Sequence, residues 1–357
     1  MLRQVAIGCF RTYQKSGGFR VSSVKSAVII MSTPKRGLSD VQRLRLQQKL
    51  KQVDKFSDEQ LHEAKYFIFV RKEGKVLISK AQRGSLAEIN FQDVEVLQND
   101  VKDNAVFVDV ARGSDKCRFA IEVPSLSPEE QSQWEEKLHG KFVHLRQSLF
   151  LLSSEQSALV SQSRALFTWR RRRNFCPECG SAVKPAAGHS HKVCTNCDTP
   201  QYPYTAPVGI ALVENEDHSQ VLLVRQPRHP PGMFSCLAGF VDAGESLEEN
   251  VSREVAEEVS LSTSKVEYIA SQYWPYPAGR LMLGCIATVL PGVVDIDKDE
   301  LEDAAWFTPT RLRKAINRAA ALKPPPEGEI WLPPPGAIAH DLIKVWLKRH
   351  HNSSAKL

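Results

Sequence analysis

Glu254, Glu257 and Glu258 stand three and four residues apart in REVAEEVSL. On an α-helix of 3.6 residues per turn their carboxylates fall within about 100° of one another. Carboxylates crowded on one face repel each other unless a hard cation sits between them. The adjoining face reads Leu247, Val251, Val255, Val259, an i, i+4 apolar stripe able to bury against a core. Ser246 and Glu249 form an S-x-x-E capping box that marks the helix start. Gly239 and Gly244 in the preceding segment let backbone approach a ligand closely. This is the makeup of a divalent-metal platform for phosphate chemistry; the bland alternative is a solvated Glu-rich helix.

A second constellation is Cys176-x2-Cys179, a 14-residue gap, then Cys194-x2-Cys197. Two such knuckles supply four thiolates for tetrahedral Zn²⁺, with Pro177, Gly180 and the stretch 184–189 giving the turns of a ribbon. Four sulfur ligands leave no position open for water, so this zinc is structural, at about one ion per chain. The remaining cysteines, Cys9, Cys117, Cys236 and Cys285, are scattered singly, which disfavours a disulfide framework. A third feature runs from Ser271 through Gln272, Trp274 and Tyr276 to Gly279. Aromatic rings held between prolines make a stiff wall suited to a flat heterocycle, and Gln272 can both donate and accept. A Pro-rich surface turn with buried aromatics is the plainer reading.

These groups need elements to position them. At 357 residues the chain is long enough for two domains and a small module. Residues 66–123 alternate in short β-like runs (Tyr66–Val70, Lys75–Ile78, Ala105–Val110, Phe119–Val123), and Val41–Gln60 is charged helix or linker. Residues 128–171 read as helical, with Leu138, Phe142, Leu145 and Leu149 at helical spacing, ending in Arg170–Arg173. That basic run complements a helix C-terminus or, alternatively, meets phosphate or RNA. Past the ribbon, Val208–Val213, Val221–Arg225, Met233–Phe240, Val266–Tyr273, Leu281–Leu290 and Ala304–Phe307 read as strands around the Glu-rich helix. The triple proline Pro333–Pro335 leads into a last helix, Ala337–Lys348. The expected division is a leader over 1–39, an N-terminal α+β domain over 40–170, the ribbon over 171–203, a catalytic α/β domain over 204–350 and a tail over 351–357.

Hydrophobic content of 42% and charged content of 25% are ordinary for a globular protein. No run of 18 apolar residues occurs, so a membrane span is not expected. The net charge of +6 is uneven: residues 1–60 hold 12 Lys/Arg against 4 Asp/Glu, which leaves −2 for the rest. A general nucleic-acid-binding body is therefore not indicated. The first 39 residues carry seven basic residues, no acid and many serines, the composition of a mitochondrial transit peptide; a disordered basic tail is the alternative. The chain ends Ala355-Lys356-Leu357, one substitution from the S-K-L peroxisomal address, so peroxisomal or dual targeting stays open.

The segment Gly239–Leu261 resembles the signature of the Nudix hydrolases, G-x5-E-x7-R-E-U-x-E-E-x-G-U, with Gly239, Glu245, Arg253, Glu254, Val255, Glu257, Glu258 and Leu261 in register. Ser260 replaces the last glycine, where a left-handed backbone costs Ser about 1 kcal/mol more. The four-cysteine ribbon ahead of the box and the Ser271–Gly279 array behind it resemble the NADH pyrophosphatase branch of that family, including its mitochondrial members, over residues 142–348. Tyr273, Tyr276 and Gly279 depart from the branch's S-Q-P-W-P-F-P-x-S, and one extra residue, around Arg280, follows. By charge alone, Arg280 is a candidate for a 2′-phosphate.

What the resemblance implies is an α/β/α Nudix sandwich with a zinc ribbon and a small β-rich N-terminal domain. It implies metal ligands Glu254, Glu258, Glu300 and the Ala238 carbonyl, with Glu257 nearby. Two or three Mg²⁺ or Mn²⁺ ions would serve catalysis beside the structural Zn²⁺. Tyr202, Phe240 and Trp274 would contact rings, Gln272 to Gly279 would line the substrate, and Ala339 would add a contact. Glu257 or Glu258 would take the proton. Arg253 belongs to the catalytic group but anchors Glu245 and its loop rather than touching substrate. The expected reaction is hydrolysis of the pyrophosphate bond of NAD(P)H or NAD⁺ to NMN(H) and AMP or its 2′-phosphate, by a homodimer. Removal of NAD caps from RNA by the same chemistry and a non-catalytic zinc scaffold are the alternatives.

Overall fold

A computed structural model of the chain describes residues 39–53, 56–97, 105–186, 190–276, 279–320, 326 and 328–354. Residues 1–38 of the expected leader and the terminal Ala355-Lys356-Leu357 lie outside the described residues, as do Pro277 and Ala278 of the aromatic wall.

In chain order, α1 (Asp40–Leu50), α2 (Asp58–His62), β1 (Lys65–Val70), β2 (Lys75–Ser79), β3 (Ile89–Asn90), α3 (Phe91–Leu97), β4 (Val106–Val110) and β5 (Cys117–Val123) come first. Then α4 (Pro128–Lys137), β6 (Gly140–His144), α5 (Leu145–Leu151) and α6 (Ser154–Arg172) complete the N-terminal part. Its sheet runs β4-β5-β1-β2-β6, with β3 also on β1; β1 and β5 are parallel, the other pairs antiparallel. Ser39 with Gln42 and Ser57 with Gln60 close capping boxes on α1 and α2, splitting the stretch read as one helix or linker.

The expected continuous helical region over 128–171 is corrected by β6. Leu138, Phe142, Leu145 and Leu149 do fall at helical spacing, yet they are buried from three places: Leu138 at the end of α4, Phe142 in β6, and Leu145 and Leu149 in α5. His139 has φ 48 and ends α4, and Gly140 lies so close to Leu77 that a Cβ would sit 2.7 Å from its Cγ. The chain therefore extends and pairs antiparallel with β2, Gly140 opposite Ser79. Sequence separation between strands, invisible to local periodicity, decides this segment.

The ribbon is a small three-stranded sheet, β7 (Val183–Pro185), β8 (Lys192–Cys194) and β9 (Pro200–Gln201). After it come β10 (Ala206–Asn215), β11 (Val221–Arg225), β12 (Leu237–Phe240), α7 (Leu247–Val259), β13 (Thr263–Trp274), β14 (Arg280–Val289), β15 (Asp303–Phe307), α8 (Pro309–Ala320) and α9 (Ile338–Ser354). This sheet runs β13-β14-β10-β11-β15, with β12 antiparallel to the first half of β10. One face buries Val251, Val255 and Val259 of α7 against Ala211, Leu222 and Ala287. The other buries Leu312 and Ile316 of α8 and Leu342 and Trp346 of α9 against Leu212, Leu223 and Ile286. The fold is thus the mixed α/β sandwich with ribbon and N-terminal α/β sheet that the sequence led us to expect. Among the described residues no helix is long and apolar enough to cross a membrane.

Candidate active site

The α7 platform is assembled by local chemistry. Ser246 Oγ accepts from Glu249 N at 3.2 Å and Glu249 returns the bond to Ser246 N at 2.8 Å, closing the capping box. At the far end Ser260 takes the left-handed conformation (φ 57, ψ 31), the geometry a glycine adopts without strain. The valine stripe is buried, which turns Glu254 and Glu258 inward, 8% and 2% exposed, and leaves the Glu257 side chain 59% exposed.

Close approach explains Gly239. A Cβ there would lie 1.8 Å from the Glu254 carboxyl carbon, so Glu254 rests directly on the β12 backbone, beside Ala238. Gly209 plays the same part for Asn250, whose Nδ2 donates to the Phe240 carbonyl at 2.7 Å. Arg253 ties the loop down. It donates to both Glu245 oxygens (2.6 and 3.0 Å), to the Phe240 carbonyl (2.9 Å), to Glu254 (2.9 Å) and to Glu257 (2.8 Å). Its guanidinium is spent on positioning. The bidentate contact, with the Asp242 N–H, holds the Glu245 carboxyl down at about 2, while the carboxylates raise the Arg253 pKa further.

Glu254, Glu257, Glu258 and Glu300 line one cavity of about 760 Å³, together with Ala238, Gly239 and Phe240. Glu300 arrives there because its loop caps α7: Asp295 N and Asp297 N donate to the carbonyls of Val259 and Glu258, at 3.3 and 3.0 Å. Burial, then the neighbouring Glu254 and Glu300 charges, push Glu258 up to about 8. Burial also raises Glu254, against the pull of Arg253. Glu258 Oε2 is buried with no hydrogen-bond partner. An orphaned carboxylate oxygen among like charges fits a hard divalent cation, whose charge would reverse every one of these penalties. Asp297, Asp299 and Arg228 line the same cavity and were not found from sequence. The first two sit beside the expected Glu300; Arg228, between prolines in a loop, gave no periodic signal.

A side cavity of about 250 Å³ adjoins the acid-lined one, sharing Val208, Gln226, Arg228, Ala238 and Arg280, and is walled by Gln272, Trp274 and Ala339. Three residues placed there by resemblance are therefore together. Gln272, however, is already engaged, donating to Gly336 O at 2.7 Å and accepting from Ile338 N at 2.9 Å, and so straps β13 to the start of α9. Gly279 admits the Tyr273 hydroxyl, which a Cβ would meet at 2.2 Å. Tyr202 is not brought to the cavity: it is 64% exposed and stacks on His191, rings 5.5 Å apart. Arg280 lies over the Phe240 ring, 4.5 Å from its centroid.

The Sγ atoms of Cys176, Cys179, Cys194 and Cys197 all lie within 4.8 Å of one another, with contacts of 3.4, 3.5 and 3.7 Å. Sulfurs on a zinc tetrahedron of 2.3 Å bonds are about 3.8 Å apart, so the quartet fits a structural Zn²⁺. Lys192 fastens the ribbon to α6 through the carbonyls of Arg170 (2.7 Å) and Arg173. Of the basic run, Arg171 pairs with Glu122 and Arg173 lies over Tyr204, so helix termination accounts for much of it.

Comparison with known proteins agrees with this geometry. Residues 203–326 match the NUDIX domain and residues 171–202 the NADH pyrophosphatase zinc ribbon domain. The chain is 42% identical over 240 residues to the human "NAD(P)H pyrophosphatase NUDT13, mitochondrial", covering 66% of each chain. It is 37% identical over 243 residues to the human "NAD-capped RNA hydrolase NUDT12", covering 66% of this chain and 51% of that one. It is 37% identical over 210 residues to the "NAD-capped RNA hydrolase NudC" of Pseudomonas aeruginosa, covering 59% of this chain and 68% of that one. The chain thus spans about half to two thirds of the length of these curated relatives.

Proposed function

Since the chain belongs to the Nudix hydrolase family and carries that family's NADH pyrophosphatase zinc ribbon, we propose that it hydrolyses the diphosphate bond of NAD(P)H or NAD⁺, giving NMN(H) and AMP or its 2′-phosphate. The observation that carries the reading is the junction of an acid-lined cavity holding an orphaned Glu258 oxygen with an apolar side pocket walled by Trp274. Glu254, Glu258, Glu300 and the Ala238 carbonyl would hold Mg²⁺ or Mn²⁺, which acidifies bound water and neutralises charge on the diphosphate. Glu257 or Glu258 would accept the proton, the former being the exposed member, while Arg253 keeps Glu254 and the Phe240 carbonyl in position. Arg228 and Arg280, across the cavity, face the anionic substrate.

The test is product analysis with NADH and Mg²⁺ or Mn²⁺, wild type against Glu258→Gln. NMNH and AMP should appear, and the variant should lose kcat by orders of magnitude with an unchanged fold; turnover near wild type rejects the assignment. NAD-capped RNA is a second reading, favoured by the names of two relatives. Competition between NADH and capped RNA at rising salt separates the two, because polynucleotide binding weakens with ionic strength. A mitochondrial location is proposed from the acid-free leader and the named location of the human pyrophosphatase.

A further inference from the structure

Beside Phe240 lies a second side cavity of about 210 Å³, between the last turns of α6 and the segment leaving the ribbon, with Trp274 not among its lining residues. Trp169, Tyr204, Tyr273 and Phe240 give it aromatic walls. Phe240 and Arg280 also line the catalytic cavity, so the two spaces adjoin. Arg280 is in addition shared with the Trp274 pocket. The diphosphate site is thus flanked by two ring-sized slots with one guanidinium at their junction.

Two residues that line this cavity carry buried polar atoms without a hydrogen-bond partner. Thr168 and Trp169 are 8% and 6% exposed, and their Oγ1 and Nε1 atoms are buried without a partner. Buried polar groups are ordinarily satisfied, and an orphaned pair lining a cavity marks where a ligand supplies the partner. An indole N–H only donates, so that partner must accept. The electrostatics narrow the choice further. Arg172 and Arg280 line the cavity and the Arg173 guanidinium lies over Tyr204, a setting that repels a cationic ring such as nicotinamidium. An electron-rich, neutral purine, with several ring nitrogens as acceptors, suits aromatic walls, two donors and guanidinium neighbours.

We propose that the cavity between α6 and the ribbon exit holds the purine base of the dinucleotide, with Thr168 and Trp169 donating to its ring nitrogens. The proposal rests on the dinucleotide reading above, but binding tests it apart from turnover. Calorimetric titration of the full, zinc-loaded chain with AMP and with NMN compares wild type, Ala165→Phe, which fills the slot, and the double variant Thr168→Val/Trp169→Phe, which removes both donors while keeping an aromatic wall. The ratio of AMP to NMN affinity should fall at least tenfold in Ala165→Phe and at least threefold in the double variant. An unchanged ratio in the double variant, loss confined to NMN, or no AMP binding by wild type overturns the proposal. Should Ala165→Phe fail to fold, the double variant decides alone. AMP binding that depends on Trp169, in a protein that does not hydrolyse NADH, would support the site and reject the proposed activity.

Discussion

The Glu258 carboxyl makes a sharp prediction about stability. It is buried among acids and pushed from 4.5 up to about 8, so without divalent metal the fold prefers it neutral. The unfolded chain releases the proton near 4.5, the folded chain only near 8. The stability this group contributes is therefore in full force below the lower value, declines as pH rises, and is gone above the higher one. At about 1.4 kcal/mol per pH unit, the loss between pH 6 and pH 9 is about 3 kcal/mol. A domain of this size melts about 2–4 °C lower per kcal/mol, so metal-free protein should lose roughly 6–12 °C over that range. Glu258→Gln should lack this slope, and the histidines that titrate nearby cancel in the difference between the two proteins. Added Mn²⁺ should abolish the decline in wild type and leave the variant almost unmoved. The measurement is calorimetric melting at pH 6 to 9, with Mg²⁺ and Mn²⁺ removed and zinc retained. Parallel melting profiles for the two proteins, or equal stabilisation of both by Mn²⁺, would refute the reasoning.

Three further outcomes are expected. Gly239→Ala pushes a methyl group into the Glu254 carboxylate, and should cost about 1–3 kcal/mol in melting experiments and lower kcat at least a hundredfold. Ser260→Gly relieves the left-handed backbone after α7, and denaturant titration should show about 0.5–1 kcal/mol of added stability with kcat unchanged. Arg280→Gln should lower kcat/KM for NADPH at least fivefold more than for NADH, because a 2′-phosphate adds charge beside the purine slot; equal losses would assign Arg280 to the diphosphate instead.

What could be read from the sequence was what is encoded within a few residues. The valine stripe, the capping box and the three glutamates share one helix, and the cysteine knuckles share one ribbon, so spacing alone brought the members of each group together. Glu300 was reached by resemblance, and its position depends on a loop whose N–H groups cap α7, a tertiary contact without local signature. Arg228 and the Thr168–Trp169 pair were missed for the same reason: each matters only through what a distant strand or the ribbon sets opposite it. The misread β6 shows the converse, since four core side chains from neighbouring elements imitate one helical face. Gln272, expected to meet substrate, walls the side cavity and also straps β13 to α9, a second role fixed by its partners and not by its type.

Lys192 gives the ribbon a reach beyond its own fold. Its ammonium clamps the final turn of α6, while the chain leaving β9 runs directly into Tyr204. A zinc ion held by the cysteine knuckles would thereby bear on the spacing of the two walls, through Lys192 on one side and the strand leading to Tyr204 on the other. On the purine assignment proposed above, chelation of that zinc should weaken AMP binding together with the ribbon's own stability.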